Sequence, residues 1–306
     1  MGQLEDMALF VRIVDAGSIT KAAEQLGMAK SVVSRRLKEL ETRLDSQLIS
    51  RSTRKSNLTE AGELYYQRAG IILNDVEELN ELTSGAPSRI EGTLRMTAPL
   101  SFGLLHLSDL LHDYATQHPN LGFELDFSDR HVDLIEEGYE LAIRIGELQD
   151  SSYQAKRLAL IRFVLCASPA YLERKGTPTT IEELSNHAYL QYGLNKNDTL
   201  ELIDSKGKKH PITLESNIKA TNGEFLVHMA TKGHGITLMP TFIAYQKLLS
   251  GELVPVLPEY QLPTLNAYAV YPKNRFLSQR CRHLIDFITA RFGDEPYWDS
   301  YLSLTT

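Results

Sequence analysis

Apolar residues recur at helical spacing in three short stretches at the start of the chain. The first stretch ends at Gly17, the second begins after Ser18 or Thr20, and Gly27 closes the second. The third stretch has an apolar face, whose members are Val33, Leu37, Leu40 and Leu44. Three amphipathic helices of this length can share one small core, and the third turns a basic face outward.

Residues 47–59 alternate poorly for a helix and are rich in arginine and turn formers, which predicts a short β-hairpin. Thr59 then caps a long helix. The apolar residues of this helix follow a heptad pattern, and they are Tyr65, Ala69, Ile72, Val76 and Leu79. The pattern predicts pairing with a second copy of the chain, and packing against the helix's own domain is the alternative.

Residues 84–88 interrupt this helix and predict a hinge. Beyond the hinge, strand patterns alternate with helical ones, which predicts α/β layers with mostly parallel sheets. The predicted strands are 92–98, 122–128, 140–145, 163–167, 188–192, 235–239 and 265–271. The predicted helices are 102–117, 224–232 and 276–292, and residues 200–214 carry the signal of a local hairpin.

The formal net charge of the chain is −7, but the charge is unevenly spread. Between Lys30 and Lys55, eight basic residues stand against three acidic ones. A basic segment of this kind indicates nucleic-acid binding, although a solvated helix face is the alternative on charge alone.

Several classes of protein are disfavoured. The chain contains no run of 18 apolar residues, and its first 15 residues lack the pattern of a secretory signal, so we expect a cytoplasmic protein without a membrane segment. Cys166 and Cys281 lie far apart, without the spacing of a disulfide framework or a zinc site. The common catalytic and metal motifs are missing, so we expect no catalytic residue, no metal and no cofactor.

Residues 10–62 resemble the DNA-binding domain of LysR-type transcriptional regulators. The resemblance is carried by Gly17-Ser-Ile-Thr-Lys-Ala-Ala-Glu-Gln-Leu26, Ser34-Arg35 and Leu58-Thr-Glu-Ala-Gly62. Looser similarity to the effector-binding domain of the same family extends downstream, through Gly92-Thr-Leu-Arg95, Leu141-Ala-Ile-Arg-Ile-Gly146 and Gly233-His-Gly-Ile-Thr-Leu-Met-Pro240.

This resemblance implies a multi-domain α/β protein. A winged helix-turn-helix would occupy residues 1–59, and the linker helix with its hinge residues 60–88. An effector-binding domain at 89–292, similar to a periplasmic binding protein, would divide into one subdomain of 89–162 with 266–292 and a second of 163–265. The resemblance implies homodimers through the linker helix, paired into homotetramers. The tail at 293–306 extends past the last family helix, and the sequence assigns it no role.

The resemblance also implies DNA contacts. Lys30, Ser31 and Ser34 occupy positions from which this family reads bases, and Arg35 and Arg36 lie where one of them can hold the backbone or a guanine. Arg54 would enter the minor groove from the wing tip, while Arg51 would contact phosphate or brace the wing.

An effector site is predicted where strands end and helices begin, because free N–H groups there favour an anion. The residues predicted to line it are Thr97, Pro99, Ser101, Phe102, Arg144, Asn222 and Gly223. Arg144 would bind a carboxylate, and a structural salt bridge with Asp129 or Asp133 is the alternative. We therefore expect a small organic effector, anionic or aromatic.

Taken together, these patterns predict a regulator that binds promoter DNA sequence-specifically and whose binding an effector modulates. An α/β enzyme and an exported solute-binding protein are the alternatives. The missing catalytic motifs disfavour the first, and the missing export signal disfavours the second.

Overall fold

The computed structural model describes residues 2–52, 55–84, 90–147, 153–193, 199–273 and 277–304. The chain divides into two compact units. Unit 1 contains the described residues of Met1–Arg89 together with Glu136–Gly138, and unit 2 contains the described residues of Ile90–Ile135 and Tyr139–Thr306. The predicted hinge at 84–88 lies almost wholly outside the described residues.

Unit 1 begins with the three predicted helices, which are α1 Gln3–Asp15, α2 Ile19–Gln25 and α3 Lys30–Leu44. Ser18 is the N-cap of α2, and its hydroxyl accepts a hydrogen bond from the Lys21 N–H at 3.2 Å. Gly27 has φ +62° in the turn before α3, a left-handed conformation that glycine adopts without a steric penalty. The three helices are thus confirmed.

The core of unit 1 contains Phe10, Val33 and Leu40, which are all buried. Leu44 was predicted on the same apolar face, but it is exposed. This detail of the prediction was wrong because Leu44 is the last residue of α3 and the chain turns at Asp45, which is left-handed with φ 48°.

The predicted hairpin is confirmed as β1 Ile49–Ser52 and β2 Lys55–Leu58, which pair antiparallel. The long helix α4 Glu60–Ser84 follows, and its first-turn Gly62 N–H donates to the Thr59 hydroxyl at 3.0 Å. A Cβ added to Gly62 would lie 2.0 Å from the backbone oxygen of Leu48, so only glycine fits where α4 crosses the base of the hairpin.

Unit 2 contains twelve strands among its described residues. They are β3 Gly92–Ala98, β4 Leu121–Phe127, β5 Leu141–Gly146, β6 Tyr153–Ile161, β7 Phe163–Ala167, β8 Tyr189–Tyr192, β9 Thr199–Ile203, β10 Lys209–Thr213, β11 Ile218–Ala220, β12 Ile236–Pro240, β13 Val254–Pro255 and β14 Leu265–Pro272. The first large sheet has the order β4-β3-β5-β14-β6, and the second large sheet has the order β11-β8-β12-β7-β13. Strands β9 and β10 form the predicted local hairpin.

The helices of unit 2 lie between these strands. They are α5 Leu100–Phe102, α6 Ser108–Gln117, α7 Pro169–Lys175, α8 Gly223–Thr231, α9 Thr241–Leu249 and α10 Gln279–Phe292. A π-helical turn, Gly103–Leu107, joins α5 to α6, and short 3₁₀ helices occupy Glu182–Asn186 and Tyr297–Leu304. Among the described helices, none combines the length and the apolar character that a membrane span requires.

The two large sheets are mixed rather than mostly parallel. In the first, β3 is parallel to β4 and β5, but β14 is antiparallel to β5 and β6. In the second, β8 is parallel to β11 and β12, but β7 is antiparallel to β12 and β13. The prediction of mostly parallel sheets was wrong because the chain crosses between the sheets, once at Arg162 and again at 256–264, and antiparallel strands flank both crossovers.

Candidate functional site

Helix α3 presents an open N-terminal end. Lys30 and Ser31 are exposed there and Ser34 is half-buried. The N-cap residue is Ala29, and no described side chain caps the helix. The first amide N–H groups of α3 therefore remain available to an acceptor from outside, such as a phosphate oxygen.

The solvent side of α3 continues this surface. Arg35 is 70% exposed, and its Nε lies 3.6 Å from Glu39 Oε1, which is a weak surface ion pair. Arg35, Lys38 and Thr42 line a surface groove together with Glu39 and Arg43. Lys38 was not among the predicted DNA contacts, although its spacing from Ser34, one helical turn, could have indicated it.

Arg36 has a different place. It is 8% exposed, and its guanidinium contacts Asp6 Oδ1 through Nη2 at 2.8 Å and Nε at 3.2 Å. Arg43 Nη1 lies 2.9 Å from Asp6 Oδ2, and we call this group of Asp6, Arg36 and Arg43 the Asp6 brace. Burial acts to raise the pKa of Asp6, but the hydrogen bonds and charges of the two arginines outweigh it and hold that pKa below its ordinary value. Arg36 thus fixes α3 to α1, and the DNA contact predicted for it does not fit this burial.

The two wing arginines are less fully described. Arg51 lies in β1, where its backbone pairs with Ser56. Arg54, predicted at the wing tip, lies outside the described residues. The roles of both arginines stay predictions.

The heptad pattern of α4 divides into two parts. Tyr65 stacks edge-on against Phe10 of α1, with ring centroids 5.5 Å apart, and Ala69 is buried. Farther along, Val76 is half-buried, while Ile72 and Leu79 are exposed, as is Leu64 beside the pattern. The first turns therefore pack within unit 1, and an apolar surface remains along the rest of α4.

In unit 2, predicted effector residues meet on one face of the first large sheet. Thr97 pairs with Ala142 across β3 and β5, and Arg144 pairs with Tyr268 across β5 and β14. Cross-strand partners share a face and so do residues two apart, so these side chains lie on the same face. On this face, Thr97 and Arg144 lie toward the carboxyl ends of β3 and β5.

Two of these side chains carry buried polar atoms without a partner among the described residues, namely Thr97 Oγ1 and Arg144 Nη2. Arg144 Nη1 donates to its neighbour's carbonyl oxygen, Ile143 O, at 3.2 Å. Burial lowers the pKa of Arg144, and the negative charges of Asp126 and Asp129 oppose that effect. The charge of Asp129 acts on Arg144 without an ion pair between the two, and the role of Arg144 stays a prediction.

The helix that follows β3 starts at Pro99, its N-cap, and the Leu100 N–H donates to Asp129 Oδ1 at 3.3 Å. Ser101 is buried next to it. Phe102 is fully buried, and its ring meets that of Phe242 with centroids 5.2 Å apart. Phe102 was predicted to line the ligand site, but it packs in the core.

The remaining predicted residues lie beside the second large sheet. Asn222 is the N-cap of α8, and its side-chain oxygen accepts from the Phe225 N–H at 2.8 Å. Gly223 is buried, and a Cβ there would lie 2.6 Å from Ile243 Cδ1. Among the described residues, no hydrogen bond or ion pair joins Asn222 to Thr97 or Arg144.

Sequence reasoning missed one connection between the two sheets. Tyr192 ends β8, and its pKa is raised by burial and, to a lesser extent, by the negative charge of Asp129, which follows β4. The charge of Asp129, which follows a strand of the first sheet, thus acts on Tyr192 of the second sheet. The position of Tyr192 at the end of a predicted strand was the signal available. No group of three metal-binding side chains occurs within the described ranges.

Comparison with known proteins covers nearly the whole chain. Residues 4–63 match the family described as "Bacterial regulatory helix-turn-helix protein, lysR family", and residues 87–293 match the "LysR substrate binding domain". An uncharacterized HTH-type transcriptional regulator of Haemophilus influenzae is 34% identical over 277 residues, which cover 90% of this chain and 96% of the relative.

The HTH-type transcriptional regulator CrgA of Neisseria meningitidis serogroup C is 33% identical, over 95% of this chain and 97% of its own length. The solved structure of CrgA from Neisseria meningitidis, a LysR-type transcriptional regulator, has a TM-score of 0.62 to this chain at 33% identity and covers 95% of this chain and 99% of that one. With both domains in the order that the family requires, this chain belongs to the LysR family of DNA-binding transcriptional regulators, which carry an effector-binding domain and are not enzymes.

Proposed function

We propose that α3 reads promoter DNA through Lys30, Ser31 and Ser34, while Arg35 and Lys38 hold phosphates. The observation that carries this proposal is the exposed, uncapped and basic N-terminal end of α3, a helix that the Asp6 brace fixes to α1. The N-terminal residues of a recognition helix are those that reach base edges in the major groove. Arg51 and Arg54 would extend the contact from the wing, Arg54 into the minor groove.

We propose further that unit 2 takes a small organic anion at the carboxyl ends of β3 and β5. Buried polar atoms in proteins nearly always have partners, so Thr97 Oγ1 and Arg144 Nη2 on one face support a ligand with a carboxylate or similar group. Pro99 and Ser101 lie next in the chain, and the ring of Tyr268, opposite Arg144, would favour an aromatic ligand body. Asn222 and Gly223 would approach from the second sheet.

The proposed organisation keeps the predicted boundaries. Unit 2 would work as two subdomains, 89–162 with 266–292 and 163–265, and the helix-turn-helix with its wing would end at residue 59. Two chains would pair along α4, for which the exposed Leu64 and Ile72 are the support, and two such dimers would form a tetramer. The DNA ligand implies that the protein works in the cytoplasm.

A gel-shift assay with DNA flanking the gene tests the DNA proposal. The full chain should shift that fragment, and Ser34→Ala should reduce the preference for it over random DNA. Equal binding of both DNAs by the unmodified protein would contradict sequence-specific reading.

A thermal-shift screen of small carboxylic acids tests the effector proposal. Acids that stabilise the protein should lose their effect in Arg144→Gln but keep it in Arg282→Gln, which removes the same charge from an exposed position on α10. Stabilisation that survives in both variants would move the site elsewhere.

A further inference from the structure

We propose that residues 295–299 of the C-terminal tail form a strap that holds the two large sheets of unit 2 in one arrangement. The family match ends at residue 293, so the strap lies outside the matched domain. The inference concerns unit 2 alone and does not depend on the identity of an effector.

The strap holds the crossover between the sheets. Strand β6 of the first sheet ends at Ile161, and β7 of the second begins at Phe163, so Arg162 alone joins them. Arg162 Nη1 lies 2.5 Å from Asp299 Oδ2 and 3.1 Å from Glu295 Oε2. Burial acts to lower the pKa of Arg162, but the hydrogen bonds and charges of Asp299 and Glu295 outweigh it and raise that pKa.

The same crossover residue touches the start of α9, because the Thr241 N–H donates to the Arg162 carbonyl oxygen at 2.9 Å. Helix α9 follows β12 of the second sheet. The carboxylate of Asp299, which is 3% exposed, therefore pairs with Arg162, the residue that connects β6 of the first sheet to β7 of the second.

The aromatic residues of the strap make a second attachment. Tyr297 Oη lies 2.6 Å from Nδ1 of His106, and Nε2 of His106 lies 3.0 Å from the carbonyl oxygen of Phe242. His106 belongs to the π-helical turn after β3 of the first sheet, and Phe242 belongs to α9. The His106 ring thus links the strap, the first sheet's helix and the second sheet's helix.

Trp298 closes this cluster. It is fully buried, with ring centroids 4.5 Å from His106, 5.0 Å from Phe292 and 6.5 Å from Phe242. The two chain crossovers and the Phe102–Phe242 ring contact also connect the sheets, and sliding of one sheet past the other must in addition break the strap's ion pair, its hydrogen bond or its ring contacts. The strap therefore contributes to the free-energy difference between this arrangement of the sheets and any other.

Hydrogen exchange on the full chain, without DNA or ligand, tests the strap. The variants are Asp299→Asn, which removes the buried charge, and the milder Tyr297→Phe, which removes one hydroxyl. Tyr297→Phe should speed amide exchange in Gly103–Leu107 and α9 by about tenfold, the factor that corresponds to one lost hydrogen bond, and Asp299→Asn should speed it more. Asp286→Asn is the matched control, because it removes the partner of Lys156 on an exposed ion pair within the first sheet's layer.

The pattern of exchange decides the outcome. Faster exchange at the π-helical turn and α9, with β4 unchanged, supports the strap. Faster exchange confined to the tail overturns the proposal, because the tail would then have no effect on the sheets. An equal rise of exchange throughout both sheets also overturns it, because the tail would then stabilise unit 2 as a whole.

Trp298 supplies a second measurement, since it is the only tryptophan of the chain. Acrylamide quenching of its fluorescence should rise several-fold in Asp299→Asn and stay at the unmodified level in Asp286→Asn. Quenching that is unchanged in Asp299→Asn would show that the ion pair does not hold the strap down and would overturn the proposal.

Discussion

A half-buried carboxylate, Asp6, stabilises unit 1, and a buried one, Asp299, stabilises unit 2, but they do so in different ways. In unit 1, Asp6 binds Arg36 and Arg43, which both come from α3. In unit 2, Asp299 binds Arg162 alone through Oδ2, and its Oδ1 has no partner among the described residues. Asp6 and Arg36 are 30 residues apart in the chain, whereas Arg162 and Asp299 are 137 apart.

The Asp6 brace therefore joins residues that are close in the chain, whereas the Arg162–Asp299 ion pair, which we call the clamp on Asp299, joins distant ones. The Asp6 brace joins two helices of one small core, and Asp6 keeps one arginine partner if the other arginine is lost. The clamp on Asp299 joins segments that no local pattern connects, and it loses its only partner with Arg162. Buried charges cost most when they are left unpaired, so the two carboxylates should respond unequally to the same kind of mutation.

The largest effect is expected from Arg162→Ala. It leaves the Asp299 carboxylate buried without a partner, which should lower the free energy of unfolding of unit 2 by about 4 kcal/mol. Arg36→Ala should cost unit 1 about 2 kcal/mol, because Arg43 still pairs with Asp6. Urea unfolding followed by Trp298 fluorescence measures the loss in unit 2, and hydrogen exchange of the α1 and α3 amides measures the loss in unit 1. Equal losses would remove the distinction between brace and clamp.

Acidification should lower the stability of unit 2 through His106. Burial lowers the pKa of His106 from 6.5 to about 4, with an opposing contribution from the Phe242 carbonyl. The unfolded chain therefore binds a proton below about pH 6.5 while the folded chain does not, so stability falls as the pH drops from about 6.5 to 4, by about 3 kcal/mol in total.

The variant His106→Gln isolates this contribution, because His187, whose pKa is also lowered, remains in both proteins. The difference in unfolding free energy between the two proteins should change with pH in that window and level off above it. A difference that is constant from pH 4 to 7 would contradict the buried neutral state of His106.

Breaking the brace itself should affect unit 1 moderately and DNA contacts only indirectly. Asp6→Asn should cost about 1–2 kcal/mol of unit 1 stability, because the two arginines lose their charged partner. Its slope of log binding constant against log salt should equal that of the unmodified protein, since no phosphate contact is removed. A changed slope would mean that Arg36 or Arg43 reaches DNA.

The smallest change in stability is expected from Lys38→Ala, which lies on the exposed side of the same helix. Unfolding free energy should change by less than about 0.5 kcal/mol. The salt slope should become shallower by about 0.9, the value for one lost phosphate contact. Lys21→Ala, another exposed lysine, which lies on α2, is the control, and equal slopes for the two variants would argue against a contact by Lys38.

Local patterns explain why much of this architecture was predictable. Strands β3 and β7 were found with their observed ends, because their apolar runs are bounded by Gly92, Pro99, Arg162 and Pro169. Strand β6 was missed because residues 154–157 are exposed, so the strand lacks an apolar signal over nearly half of its length.

Residue-level roles were predictable only where periodicity could be read fully. Arg36 lies three residues after Val33 and four before Leu40, which places it on the buried face of α3, a signal that its charge obscured. The clamp on Asp299 could not have been predicted, because a carboxylate near the end of the chain gives no indication of a partner 137 residues earlier. Thr97 and Arg144 were predicted as effector residues because both lie toward the carboxyl ends of strands, where ligands gather, and that role stays a prediction.

The close contact of Gly62 with Leu48 gives α4 a mechanical property. With no room for even a methyl group between the first turn of α4 and the base of the wing, we expect the helix and the hairpin to move together. A helix of 25 residues is about 37 Å long and acts as a lever whose fulcrum lies at the wing. A sideways movement of its far end by about 4 Å would rotate the wing by about 6°, so a small displacement at one end of α4 changes the orientation of the wing at the other end.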